Sequence, residues 1–260
     1  MSLRKALSDI KLGVKNRHVW LTFGWIDIKL RYRRSTIGPF WITISIAVMV
    51  LSLGILYSQI FNQDIKVYLP FVGCGLILWF FISGLLNEGC TAFIGAEGQI
   101  KQIKQPLSLY VLRLLWRNII VFLHNFLVII IIVLYFKIFH WQIFLFIPMF
   151  LLICALFYFI TMILGIVCAR YRDIPQIVLT LTQVLMFITP VFWQKEFIAK
   201  HTWVTTVNPA FHMLELLRNP ILGKEFPFFS LYFVIAMLFI LAALAIFLMA
   251  RYGRRISYWV

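Results

Sequence analysis

The sequence predicts an all-α membrane protein, and three observations carry that expectation. Of its 260 residues 63% are apolar and 13% charged, whereas an ordinary soluble domain has about 45–50% and about 25%. The apolar residues gather in long uncharged runs separated by short charged clusters, and a bilayer core takes about 20 such residues per helix. Basic residues outnumber acidic ones by 24 to 9 and sit in the clusters between the runs. That distribution fits a polytopic protein with Lys- and Arg-rich inner loops better than a nucleic-acid binder. A soluble enzyme is excluded.

The chain opens with MSLRKALSDIKLGVKNRH, which is charged and has no apolar core of its own. No cleavable signal peptide is expected there, and the mature chain is expected to start near Met1. Across 16–34, Val19, Phe23, Ile26 and Leu30 form one helical stripe, although 26–33 also alternates apolar and charged residues with the period of a strand. A lone strand at a bilayer surface would leave its edges unpaired, so the expectation is an interfacial helix with its basic residues toward lipid headgroups.

Uncharged stretches then place six spans at 35–63, 67–87, 118–136, 138–169, 174–194 and 226–250. A seventh stretch, 201–214, is shorter and interrupted by Asn208-Pro209, so it is read as re-entrant or interfacial. Six spans put both termini on one side. That side receives 18 Lys and Arg residues against 6 on the other, which places both termini in the cytoplasm. The chain reads as one transmembrane domain, with a cytoplasmic segment at 1–34, the spans in 35–250 and a cytoplasmic tail at 251–260.

Several span ends follow from local chemistry. In Arg172-Asp173-Ile174-Pro175 the Asp can cap the fifth helix and the Pro sits in its first turn, which makes the fourth and fifth spans a tight hairpin. Pro148 starts the regular part of the fourth span and leaves 140–147 at the outer interface. Arg113 and Arg117 share a helix face and are expected to anchor in the inner headgroups. In the outer loop 195–225, Asn208-Pro209 and Asn219-Pro220 should start and stop a helix of about ten residues, about 15 Å long. Cys74, Cys90, Cys154 and Cys168 have no metal spacing and read as small packing residues.

The chemistry that is missing narrows the function. No span carries a charge near its middle, which disfavours ion-coupled transport. The sequence has no GxxxxGK[ST], so a pump built on it would draw energy from a partner. His124, His140 and the His212/Glu215 pair lack a matched partner set and read as ordinary polar residues. The inner loop 88–106 is longer than a usual helix connection and can dock a soluble partner. Aromatic residues make up 17% of the chain and many stand at span ends, among them Phe40, Trp41, Trp79 and Trp141. Most fit a headgroup belt, and a minority can line a conduit, where a flat ring stacks on the C–H face of a sugar.

Four stretches carry a resemblance: LRYRRSTIGPFW at 30–41, ARYRDIPQI at 169–177, FITPVFW at 187–193 and NPAFHMLELLRNPILG at 208–223. In order and spacing they resemble the permease subunit of polysaccharide ABC exporters, nearest to the O-antigen permeases of Gram-negative bacteria. The resemblance implies a homodimer in the bacterial inner membrane, with two copies of a cytoplasmic ABC ATPase that bind the ATP and Mg. It implies no cofactor on this chain, no nucleic-acid partner, membrane lipids as surroundings and an undecaprenyl-diphosphate-linked polysaccharide as cargo. It assigns the helix at 16–34, with Trp25, Lys29, Arg31, Arg33 and Arg34, to the ATPase contact. Glu97, Gln99, Lys101 and Lys104 fall in its coupling loop. Trp203, Asn208, Pro209, Phe211, Glu215 and Arg218 fall in short gate helices at the outer mouth.

A long glycan must slide, so its path should offer many weak contacts and no charge that traps it. Tyr57, Phe61, Phe187, Phe192 and Trp193, near the outer ends of the first and fifth spans, are the candidates for such a wall. The alternatives are a drug or small-lipid exporter of the same fold, and a membrane-embedded glycosyl- or phosphotransferase. The latter would need a cluster of loop carboxylates or His, and the nine acidic residues are scattered singly.

Overall fold

Where the uncharged runs are long, the chain forms long helices. A computed structural model describes residues 2–35, 37–38, 40–196 and 203–260. All regular structure among them is helical: α1 (Leu3–Lys15), α2 (Arg17–Arg31), α3 (Phe40–Ile60), α4 (Ile65–Gly89), α5 (Glu97–Gln102), α6 (Leu107–Tyr135), α7 (Phe146–Arg170), α8 (Ile174–Ile188), α9 (Trp203–Thr206), α10 (Pro209–Leu222), α11 (Phe228–Tyr252) and α12 (Ile256–Trp259). Short 3-10 turns occupy Ile94–Ala96 and Trp141–Leu145. Parts of two expected features, residues 36 and 39 of the first span and 197–202 of the loop 195–225, lie outside the described residues.

Among the described residues, five helices are long and apolar enough to cross a bilayer: α3, α4, α6, α7 with its preceding 3-10 turn, and α11. The fifth expected span, 174–194, departs from this. Its helix α8 stops at Ile188 after 15 residues, about 22 Å at 1.5 Å per residue and short of a hydrocarbon core of about 30 Å. Pro190 is the cause. It pushes the preceding residue out of the helical region, and Thr189 is extended at φ −84°, ψ 137°.

The bundle is built around α4, whose face from Tyr68 to Leu85 is nearly all buried, with Trp79 at its centre. α3, α6, α7, α8 and α10 all pack against it. A ladder of rings, Phe81, Phe122, Phe126, Phe146 and Phe150, joins α4, α6 and α7 at centroid distances of 4.8 to 5.5 Å. The four cysteines are free and buried in this packing.

Both termini, the α4–α6 connection and the α7–α8 turn meet at one end, called here the terminal end. Arg172 there donates to the Trp259 carbonyl at 3.0 Å and Arg170 lies over the Trp259 ring, which ties α12 to the hairpin turn. Asp173 takes the N-cap position of α8 as expected, but its side chain makes no capping hydrogen bond. α1 was not expected as a helix. It docks because Pro106, at the N-cap of α6, has no capping side chain, and Asp9 supplies one from 98 residues away. Its two carboxylate oxygens accept the Leu107 and Ser108 N–H groups at 3.0 Å each.

Candidate functional site

At the terminal end a polar network joins four helices. Asp27 on α2 accepts two hydrogen bonds from Arg113 on α6, from Nε at 2.8 Å and from a terminal nitrogen at 2.6 Å. This forked geometry fixes orientation as well as charge. Arg117, one turn on, sits 3.6 Å from Asp27 and donates to Glu88 at the end of α4 at 2.7 Å. Glu88 also accepts from Asn118 at 2.7 Å and from Arg31 at 3.1 Å. Burial pulls the Arg31 guanidinium down, but the Glu88 carboxylate outweighs it and holds the group above its ordinary range.

Arg113 and Arg117 are therefore not headgroup anchors. Their partners are 86 and 29 residues away in sequence, while their i,i+4 spacing reports only that they share a face. Charged hydrogen bonds thus tie α2 to the roots of α4 and α6.

The other terminal nitrogen of Arg113 donates to Gln99 on α5 at 2.7 Å, and this bond brings α5 into the same network. α5 itself has no buried residue. Glu97 and Lys101 pair across one turn at 2.7 Å, both half-exposed, and the Lys101 hydrogen bond and charge hold the Glu97 carboxyl below its usual range. Lys101, Ile103 and Lys104 are exposed, as are Trp25, Lys29, Arg33 and Arg34 around α2. The residues assigned to coupling thus divide in two. Arg31 and Gln99 bond into the network, Arg31 while still exposed, and the others form the outer surface of the terminal end.

The other end of the bundle holds the aromatic candidates, and they come together. Tyr57 stacks on Phe61 at 5.7 Å and on Phe192 at 6.3 Å, and Phe187 meets Phe192 at 6.4 Å. The Trp193 indole donates to the Phe187 carbonyl at 3.0 Å. The break after α8 is what allows this. Backbone that leaves a helix at membrane depth needs partners for its polar groups, and side chains supply them. Tyr68 donates to the Phe192 carbonyl at 2.5 Å, Arg218 to the Pro190 carbonyl at 2.7 Å, and Asn208 to the Thr189 hydroxyl at 2.9 Å. Gly75 on α4 lets the broken strand approach, since a Cβ there would lie 2.5 Å from the Val191 carbonyl oxygen.

α10 is the second irregular feature of this end. Of its 14 residues 12 are buried, so it is a helix inside the bundle and not one lying on an interface. Both of its ends are satisfied locally. The Asn208 side chain accepts from the Ala210 and Phe211 N–H groups, Pro209 occupies the first turn, and Gly223 closes the helix at φ +65° with its N–H on the Asn219 carbonyl. The expected stop at Asn219-Pro220 does not occur. Pro220 lies in the last turn, and the helix ends at the glycine.

Glu215 and Arg218 are 6% and 4% exposed. Lys195 holds Glu215 at 2.9 Å and lies over the Phe211 ring, while the Arg218 guanidinium stacks on Phe71 of α4 at 4.1 Å. Trp203, by contrast, is 67% exposed and outside this cluster. Sequence reasoning saw no charge within a span and so gave no signal that two charged side chains are buried between spans.

The arrangement is a helical bundle with a charged network at one end and a broken, ring-lined segment at the other. The sequence pattern of the ABC-2 type transporter family matches residues 18–222. The chain belongs to that family. The match begins at α2 and ends at the close of α10, so it takes in both the terminal network and the broken segment. No curated protein matches the chain. As an ABC-2 permease it is the membrane subunit of an ABC transporter, not by itself a catalytic enzyme, and such permeases work with an ABC ATPase subunit.

Proposed function

We propose that this permease exports a lipid-linked polysaccharide, of the undecaprenyl-diphosphate O-antigen class, across the bacterial inner membrane. It works as a homodimer with two cytoplasmic ATPase subunits, which bind ATP and Mg. The terminal end, which carries the clusters holding 18 of the 24 basic residues, faces the cytoplasm. The exposed surface of α5 and α2 receives the ATPase, and the Asp27, Arg113, Arg117 and Glu88 network passes its movement to α4 and α6. The apolar outer faces of α3 and α8, exposed in the single chain, suit a second copy and lipid.

The observation that carries the glycan reading is the gathering of Tyr57, Phe61, Phe187, Phe192 and Trp193 from two separate segments into one cluster of uncharged rings. Such rings offer a sugar polymer repeated weak contacts without a trap. α10, with Asn208, Pro209, Phe211, Glu215 and Arg218, forms the gate beside them, and Trp203 flanks it.

The test replaces the five rings by Leu in a strain that exports a lipid-linked glycan through this permease and its ATPase. Export should fall at least tenfold while membrane insertion and ATPase binding persist. Export that survives loss of all five rings would sink the glycan reading. Transport of a small lipid or drug in place of glycan by the reconstituted complex would favour the alternative cargo.

A further inference from the structure

At the end opposite the termini, a cleft of about 310 Å³ opens between the start of α4, the second half of α10 and the segment that leads into α11. Its lining includes Phe71, the cations Lys195, Arg218 and Lys224, and the carboxylates Glu196, Glu215 and Glu225. The cations and anions of this lining are unevenly satisfied. Lys195 takes Glu215 at 2.9 Å. Arg218 and Lys224 are both drawn to the Phe71 ring, at 4.1 and 5.3 Å from its centroid. Among the described residues, neither has a carboxylate within salt-bridge distance.

Arg218 is the more telling of the two. It is 4% exposed, and one terminal nitrogen donates to the Pro190 carbonyl, but its Nε is buried without an acceptor. A buried guanidinium with an unmade hydrogen bond is costly, and a second cation beside it adds repulsion. Lys224 registers that cost. It keeps solvent access, yet partial burial and the Arg218 charge push its pKa below the ordinary lysine range, against the opposing pull of Glu196 and Glu215. A guanidinium and an ammonium that converge on one cleft, neither of them paired with a carboxylate, are a donor set for an oxyanion.

We propose that this cleft binds one phosphate-type oxyanion between Arg218 and Lys224. The group can arrive as a free or cargo-borne phosphate or as the headgroup of an anionic lipid in the adjacent leaflet. The chemistry is the same in both cases, and the volume leaves room for part of the molecule that carries it. The site does not depend on whether the cargo is a glycan.

The experiment follows the thermal unfolding midpoint of the full chain. In a maltoside detergent, which carries no phosphate, inorganic phosphate is compared with chloride at equal ionic strength. In phosphatidylcholine nanodiscs, discs with and without phosphatidylglycerol are compared. At ten times its dissociation constant a single ligand should raise the midpoint by about 3 °C. Lys224→Gln should abolish the rise, Arg218→Lys should reduce it, and Lys66→Gln, a change in an exposed lysine elsewhere on this end, should keep it. A rise with phosphate in detergent supports a free or cargo-borne group. A rise only with phosphatidylglycerol supports a headgroup. If neither comparison shifts the midpoint, or if Lys224→Gln retains the shift, the proposal is overturned, and Glu196 and Glu225 satisfy the two cations internally.

Discussion

Asp27 and Arg113 meet through two parallel hydrogen bonds of 2.8 and 2.6 Å, and this forked pair ties α2 to α6. Both side chains are largely shielded, at 14% and 21% exposure, so the pair is worth more than a surface ion pair. Asp27→Asn leaves Arg113 without a carboxylate partner and Arg117 with Glu88 alone. It should cost about 2 kcal/mol, a fall of about 5 °C in the unfolding midpoint for a chain of this size. In the assembled transporter the same change should lower transport more than ATP hydrolysis. The combined Asp27→Asn and Arg113→Gln variant should be less destabilised than the sum of the two. Strict additivity would show that the pair is not coupled.

Asp9 caps a helix that is not its own. Asp9→Ala removes two charge-assisted hydrogen bonds to the first turn of α6, and a lost cap costs about 1–2 kcal/mol. Hydrogen exchange should quicken at Leu107 and Ser108 and throughout α1, whose remaining ties are the Ser108 hydroxyl on the Asp9 carbonyl and its packing against α6 and α11. Unchanged protection of α1 would mean that its docking rests on Ala6 and its neighbours alone.

These two contacts mark where sequence reasoning stops. The spans, the α7–α8 turn at Asp173-Ile174-Pro175 and the start of α10 at Asn208-Pro209 were legible because each is set by residues within a few positions of one another. Asp9 to Leu107 and Asp27 to Arg113 are contacts between distant segments, and no local spacing announces them. Pro220 misled for a related reason. Proline breaks a helix by withholding an N–H and crowding the turn before it, but in the last turn of α10, with Gly223 closing the helix, that disruption affects little. The short α8 was half legible. Pro190 carries the break, but an uncharged run out to Gln194 makes the segment look like a full span. The aromatic candidates follow as a group from their places near the outer ends of two spans, but only the break at Pro190 brings Phe192 back to Tyr57.

Gly75 tests whether that break is a built feature. An added Cβ would meet the Val191 carbonyl oxygen at 2.5 Å, a backbone atom that cannot swing aside. Gly75→Ala should therefore push the 189–193 segment away from α4, strain the Tyr68 and Arg218 hydrogen bonds to it, and cost about 1–3 kcal/mol. The same substitution at Gly98, where nothing lies within 4 Å of the added atom, should be harmless to packing. Equal midpoints for the two variants would show that the broken segment moves freely against α4.

Lys224 gives the protein a pH signature of definite sign. Its pKa in the folded chain lies below the ordinary value because its ammonium is partly buried and faces Arg218 and Lys195, with Glu196 and Glu215 opposing only in part. Below the folded pKa both folded and unfolded chains hold the proton, and the penalty on the folded state is constant. Between that pKa and about 10.4, the value of a free lysine, the unfolded chain holds more protons, so stability rises with pH. In chloride buffer the unfolding midpoint should therefore climb across this window. Lys224→Met, which keeps the stem over Phe71 and removes the charge, should flatten the climb and raise the midpoint at neutral pH. Saturating phosphate should flatten it in the wild type as well, because an anion between the two cations offsets the repulsion that lowers the pKa. A wild-type climb that persists unchanged in Lys224→Met would assign the titration to another group and remove this support for the anion site.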